Sequence, residues 1–190
     1  MSILVNMIGQ PGCGKSTLSA MLFVTLKNLG INADWAPEYV KQLVYEKKQI
    51  TKQMQYIIHG KEVEQQIRLL SAVDVAISDS PISLVGFYNW YYNNGDNSVS
   101  QACHGFYKSL ELDNVTVLNF FLTQRKKYDA RGRFQDPIEA QKVGTSLKKW
   151  LDDEGYTYEV LDCDDNERVE RIMTRLREVT NNFEGMLNEG

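Results

Sequence analysis

One nine-residue stretch constrains this chain more than any other: Gly9-Gln10-Pro11-Gly12-Cys13-Gly14-Lys15-Ser16-Thr17. It meets the spacing G-x-x-x-x-G-K-[ST] at every required position. The apolar run Ile3, Leu4, Val5, Met7, Ile8 in front of it reads as a buried parallel strand. Behind it, Leu18, Met21, Leu22, Leu26 and Leu29 recur at the spacing of a buried helical stripe, with Thr25 its one polar member. Glycines let backbone N–H groups turn inward around a polyphosphate, and the helix start adds its positive dipole end. Lys15 is then expected to reach the outer phosphates and the Ser16 hydroxyl to ligate Mg²⁺. The competing reading, a glycine-rich turn that happens to carry a lysine, leaves the flanking strand and helix unexplained.

The remainder alternates in the same way. Strands are predicted over 32–36, 72–78, 115–122 and 156–161, and helices over 15–29, 38–48, 52–71, 98–110 and 137–151. Gly30 is a C-terminal stop for the first helix, and Thr51 is an N-cap candidate for the third. Pro81 opens a further helix carrying Phe87, Tyr88, Trp90, Tyr91 and Tyr92; the Trp90, Tyr91 and Tyr92 cluster reads as core in preference to a stacking platform. Asp136-Pro137-Ile138-Glu139 is an N-cap, a first-turn proline and a capping acid in sequence, and Asp164 with Glu167 starts a last helix reaching about Val179. Alternating strands and helices specify an α/β fold: a parallel five-stranded sheet with helices on both faces, the three-layer P-loop arrangement. The expected organisation is one domain over residues 1–180, with a basic lid near 123–136 and a polar tail at 181–190.

Composition narrows the function. No apolar run approaches a membrane span and Met1-Ser2-Ile3 lacks a basic leader, so the expectation is a cytoplasmic protein with no membrane partner. Three cysteines fit a reducing compartment. Cys13 reads either as a redox-sensitive thiol at a helix N-terminus or as a small residue in a tight loop. The net charge of −4 argues against broad nucleic-acid binding, yet Arg125, Lys126, Lys127, Arg131 and Arg133 crowd one short segment. Acidic overall and locally basic, the chain suits a small anionic ligand better than a long polyanion.

Ligands of such sheets gather at the carboxyl ends of the strands, where several candidates fall. Asp79 ends the third strand, in Ser78-Asp79-Ser80-Pro81; it suits a role in positioning Mg²⁺ or accepting a proton, or it caps the next helix. Glu38, in Pro37-Glu38-Tyr39 after the second strand, either faces the phosphate acceptor or complements a helix dipole. Arg131 and Arg133, separated by Gly132, suit a lid that stabilises charge developing on a transferred phosphate, and Arg125 a phosphate clamp. The helix bearing Gln53, Gln55, Tyr56, His59 and Gln65 offers amides to read a heterocycle edge and a tyrosine to stack on it, or else forms a wet surface face. No Cys/His spacing supports a zinc site. An Asn-Lys-x-Asp guanine-reading motif is missing, which leans toward ATP and away from a GTPase switch; a motor ATPase would need a further helical domain.

Gly9–Thr17, Pro37-Glu38-Tyr39, Asp79-Ser80-Pro81 and the segment from Arg125 to Gln135 together resemble the ribosylnicotinamide-kinase-like ATPase/kinase family, over nearly the whole chain. The resemblance implies ATP- and Mg²⁺-dependent phosphorylation of a hydroxyl on a small nucleoside- or nucleotide-like acceptor, bound near Glu38, Tyr39 and Gln55. It also implies a lid at Arg131 and Arg133. Deoxynucleoside kinases use a similar glutamate as base, but carry Glu-Arg where this chain has Asp79-Ser80, so Glu38 and Asp79 are both candidates for that role. Relatives are frequent in bacteriophages, where the protein would work in the host cytoplasm. One of them phosphorylates 5-hydroxymethyluracil within DNA, making nucleic acid an alternative substrate; a switch or ATPase without a small acceptor is a further alternative. A homodimer is among the expected assemblies.

Overall fold

Central strands of a parallel sheet are covered on both faces, so they read as unbroken apolar runs, and the longest such run comes first in this chain. The computed structural model describes residues 2–125 and 136–180. Its five strands, β1 (Ile3–Ile8), β2 (Ala33–Ala36), β3 (Val75–Ser78), β4 (Thr116–Leu122) and β5 (Glu159–Leu161), form one all-parallel sheet in the order β2-β3-β1-β4-β5. The helices are α1 (Lys15–Asn28), α2 (Tyr39–Tyr45), α3 (Met54–Leu70), α4 (Ile82–Tyr92), α5 (Ser98–Leu112), α6 (Pro137–Asp153) and α7 (Asp165–Val179). All six residues of β1 are buried, as its central place requires.

Side chains alternate across a strand, and the two faces of β1 meet different helices. Ile3, Val5 and Met7 pack with Leu18, Leu22 and Leu26 of α1 and with Ile172, Met173 and Leu176 of α7. On the other face Leu4 packs with Leu110 of α5, and Ile8 with Phe87 of α4 and Val143, Leu147 and Trp150 of α6. The pairings Asn6 with Ser78, Ala36 with Ser78, and Leu122 with Leu161 bring the carboxyl ends of all five strands to one edge of the sheet. Among the described residues no helix is long and apolar enough to cross a membrane.

Several predicted boundaries shift for local reasons. The third strand starts at Val75 because Val73 still donates to the Leu69 carbonyl, closing the end of α3. The fifth starts at Glu159 because Tyr156 donates back to Leu151 at the end of α6. Thr51 is not the cap of α3; Gln53 holds that position with no side-chain cap bond, and the Thr51 carbonyl accepts instead from Met54 N–H in a preceding turn. Leu29 leaves the buried stripe and is exposed where Gly30, at φ +76°, turns the chain out of α1. The caps at Asp136 and Asp164 form as predicted, accepting from Glu139 N–H and from the N–H groups of Asn166 and Glu167.

Candidate functional site

The chain leaves β1 through Gly9, Gly12 and Gly14, all at positive φ. Gly9 also has no room for a side chain: a Cβ there would lie 2.7 Å from Cys13 Sγ and 2.8 Å from the Leu122 carbonyl oxygen. The loop is thus pressed onto its own cysteine and onto β4. Cys13 is buried under it and all three cysteines are free, which fits a small packing residue rather than an accessible thiol. Helix α1 begins at Lys15 with Gly14 as its N-cap, no side-chain cap bond and no acid in its first turn, so its leading N–H groups point to an anion site. The Lys15 ammonium lies over the loop and donates to the carbonyls of Gly9 (2.9 Å) and Gln10 (3.3 Å).

Two acids predicted from the sequence converge here. Asp79 follows β3 directly, is 2% exposed, and is not a helix cap, since Pro81 occupies the N-cap of α4. Burial pushes its carboxyl pKa up; the Ser16 hydroxyl, the charges of Lys15 and Lys41 and the Glu38 N–H pull it back. Its Oδ1 has no partner among the described residues. An orphaned carboxylate oxygen beside the Ser16 hydroxyl is the donor chemistry a hard divalent cation takes when phosphates supply its remaining ligands. No group of three or more His, Cys, Asp or Glu side chains among the described residues is arranged to hold a metal alone. Glu38 takes the N-cap position of α2 but makes no side-chain cap bond.

A single cavity of about 700 Å³ starts at Gly12–Thr17, passes Glu38 and Lys41, and continues between α2, α3 and α4. Its far compartment is lined by Val40, Val44, Ile58, Leu84, Val85, Tyr88 and Tyr92. The Tyr88 and Tyr92 rings stack at 6.1 Å, and the Tyr92 hydroxyl donates to Glu139 Oε1 at 2.9 Å, tying α4 to the start of α6 in the cavity wall. Gln55 lines the same wall and is only 6% exposed. The cavity therefore brings together Lys15, Ser16, Glu38 and Gln55, with Asp79 reaching it through Ser16.

Other predicted residues are placed elsewhere. The Tyr39 side chain packs beside Leu43 and Ile58 instead of lining the cavity. Tyr56 points outward and bonds Ser98 Oγ, so it is no stacking partner for a ligand. Arg125 lines a second cleft of about 500 Å³ with Thr17, Met21, Asp164, Asp165 and Asn166, and donates to the Asp162 carbonyl at 3.4 Å. The two hollows meet at Thr17. Arg131 and Arg133 lie outside the described residues, as does most of the expected lid.

Several site residues escaped sequence reasoning. Helix α3 is wet on one face only: Gln53 and Tyr56 are exposed, but Glu62 and Gln66 join the expected Gln55 in burial, and with half-buried His59 they form a polar stripe one helix face wide. Glu62 is pushed up to about 8 by burial, with the charges of Glu38 and Asp79 adding to the effect. The spacing 55, 59, 62, 66 carries that signal, but a polar stripe normally marks the solvent side. Lys41 lies one turn beyond Glu38. Tyr92 was read as core, yet it is 47% exposed, and its ring lines the cavity together with that of Tyr88. Glu139 was recognised only as a capping acid.

The sequence profile of the family AAA_28, described as an AAA domain, matches residues 4–170. No curated protein matches the sequence. Among solved structures, deoxyadenosine kinase from M. mycoides, with dCMP and dCDP bound, is 19% identical at a TM-score of 0.57, covering 92% of this chain and 99% of that one. NadR in complex with NR is 16% identical at a TM-score of 0.65, covering 86% of this chain; the match spans 46% of NadR, about half its length. The protein APE1195 is 16% identical at a TM-score of 0.54, covering 94% and 96% of the two chains. At these identities the likeness establishes a shared fold.

Proposed function

We propose, for a chain that belongs to the AAA domain family, that it is an ATP-dependent kinase whose acceptor is a hydroxyl of a small nucleoside-like molecule. One observation carries the reading: the phosphate loop opens into a single cavity whose far end is apolar, tyrosine-lined and furnished with a buried amide. A hydrolytic switch has no use for such a compartment beside its outer phosphates. An aromatic base would stack on Tyr88 and Tyr92, and Gln55 would read its edge. The Tyr92–Glu139 pair beside that stack would bind a sugar hydroxyl. That deoxyadenosine kinase and NadR share the fold supports the same reading.

In this reading the triphosphate lies along Gly9–Thr17, with its nucleobase toward Arg125 in the cleft beyond Thr17. Lys15 neutralises the outer phosphates, while Ser16 and Asp79 are the residues that would hold Mg²⁺, which supplies further charge neutralisation there. Glu38 takes the proton of the acceptor hydroxyl as its oxygen bonds to the γ-phosphorus and the bond to the β-phosphate oxygen breaks. Asp79, assigned to the Mg²⁺ position beside Ser16, is the alternative candidate for that base. Arg131 and Arg133 would steady the transferred charge.

A cavity of this size admits a free nucleoside more readily than a base within duplex DNA. ATP consumption against a panel of nucleosides, nucleotides and hydroxymethylated DNA, with product masses recorded, tests the reading. One acceptor gaining a single phosphate is the expected outcome, with Glu38→Gln and Asp79→Asn each lowering kcat by about 10²-fold. Hydrolysis indifferent to every acceptor refutes it; transfer to DNA alone moves the acceptor to the polymer.

A further inference from the structure

Helix α2 is too short to hold itself. It has seven residues, no side-chain N-cap bond, no acid in its first turn and one fully buried side chain, Leu43. Yet it carries Lys41, and the turn before it carries Glu38, both lining the cavity beside the phosphate loop. The N–H of Tyr39 is one of the orphan donors at its start, and the structure gives that donor an acceptor from another helix: Glu62 Oε1 of α3, at 3.0 Å.

We infer that Glu62 is a positioning residue for the proposed phosphate transfer, holding Glu38 and Lys41 in the cavity through its bond to the Tyr39 N–H. The inference rests on the kinase reading. Three features support it. Glu62 is 1% exposed on a seventeen-residue helix, so its own place is firmly set. Among the described residues it pairs with no Lys or Arg, its acidic neighbours Glu38 and Asp79 disfavour its charge, and a carboxyl so buried is costly unless it does something an apolar side chain cannot. Its other oxygen, Oε2, meets no acceptable hydrogen-bond geometry among the described residues, although Ser80 lies close enough to influence it. The Tyr39 N–H is therefore its principal partner. The same stripe continues to Gln66, whose amide lies 3.5 Å from Ser78 Oγ at the end of β3. Helix α3 thus touches both chain segments that deliver acids to the site, after β2 and at β3.

The test compares Glu62→Gln, which retains a carbonyl acceptor, with Glu62→Met, which fills similar volume without one. Exchange of the Tyr39 amide, ATP affinity by fluorescence titration, and kcat with acceptor KM are measured on the full chain. Glu62→Met is expected to speed Tyr39 exchange by about tenfold or more and to lower kcat by about 30-fold, because small misplacements of reacting groups carry losses of that order. ATP affinity should hold within about threefold, since the phosphate loop lies outside this contact. Glu62→Gln should restore both readouts to near the parent values. Unchanged Tyr39 exchange in Glu62→Met overturns the inference, as do equal kcat losses in the two variants. Should the parent protein transfer phosphate to no acceptor, the kinase reading fails, while the amide-exchange comparison still decides whether Glu62 fixes this turn.

Discussion

Removing the Arg168 guanidinium should weaken the fold together with the cleft proposed above for the nucleobase of ATP. Arg168 lies on α7 and is only 1% exposed. Its Nε donates to the Leu161 carbonyl (3.2 Å), Nη2 to the Thr123 carbonyl (2.8 Å) and Nη1 to Asp165 Oδ1 (3.3 Å). One side chain therefore ties the exits of β4 and β5 to the first turn of α7, the walls of the cleft that holds Arg125. Arg168→Met keeps most of the aliphatic stem but removes one donor from each of two backbone carbonyls and a carboxylate. Such charge-assisted bonds contribute about 1.5–3 kcal/mol each and are not additive, and breaking a buried ionic network typically costs about 3–5 kcal/mol. We expect a destabilisation of about 4 kcal/mol, a large share of an ordinary domain's stability. In a chain of this length that lowers Tm by about 8–16 °C. Urea unfolding followed by tryptophan fluorescence measures it, with the m-value unchanged. Arg168→Lys retains the charge but cannot span three acceptors, so it should fall between. ATP affinity should drop in Arg168→Met while acceptor KM holds. A Met variant within about 1 kcal/mol of the parent refutes the reasoning.

Glu62 supplies a pH signature. Its folded pKa of about 8 lies above its ordinary 4.5, so between those values the folded state holds a proton the unfolded chain has released. Stability from this group is full below pH 4.5 and is lost as pH rises toward 8. Between pH 6 and pH 8 the Tm of Glu62→Gln should gain on the parent's by about 4–8 °C, from a linkage of about 2 kcal/mol; parallel melting curves across that range would contradict it. A second prediction concerns the contact of α6 with the phosphate loop. A Cβ on Gly144 would lie 2.0 Å from Gln10 Oε1 and 3.1 Å from Gln10 Cβ, so Gly144→Ala should destabilise and Gln10→Ala should relieve it. A double-mutant cycle is expected to give a coupling of about 1–2 kcal/mol, whereas additive effects would show that the glutamine swings clear.

What the sequence made legible follows from local rules. The phosphate loop, β1 and α1 were readable because glycine spacing, apolar run and helical stripe all pointed the same way. Asp79 and Glu38 were readable because strand ends in a parallel sheet share one edge. Glu62 and Gln66 were hidden: a polar stripe at helical spacing marks the solvent side unless a neighbour covers it, and what covers α3 is set by tertiary packing. Tyr92 was misread as core because aromatic clustering gives no direction, and its bond to Glu139 joins residues 47 positions apart. Arg125 was read as a phosphate clamp, but it lines the outer cleft with Asp164, Asp165 and Asn166, a placement that depends on how the chain returns between β5 and α7.

The strand order has a consequence for how binding competence arises during folding. The strand that feeds the phosphate loop pairs first with β3 and then with β4, so segments near residues 3, 75 and 116 must all be present before that strand has both its neighbours. Parallel pairing across such separations is slow to nucleate. The nucleotide loop is complete by Thr17, yet it rests on Leu122 and shares a cleft with Arg125 and Asp164, all of which follow much later in the chain. Nucleotide should therefore have little affinity for truncated chains, and its binding would draw the last assembly step forward by mass action, making ATP a chaperone-like ligand for its own site.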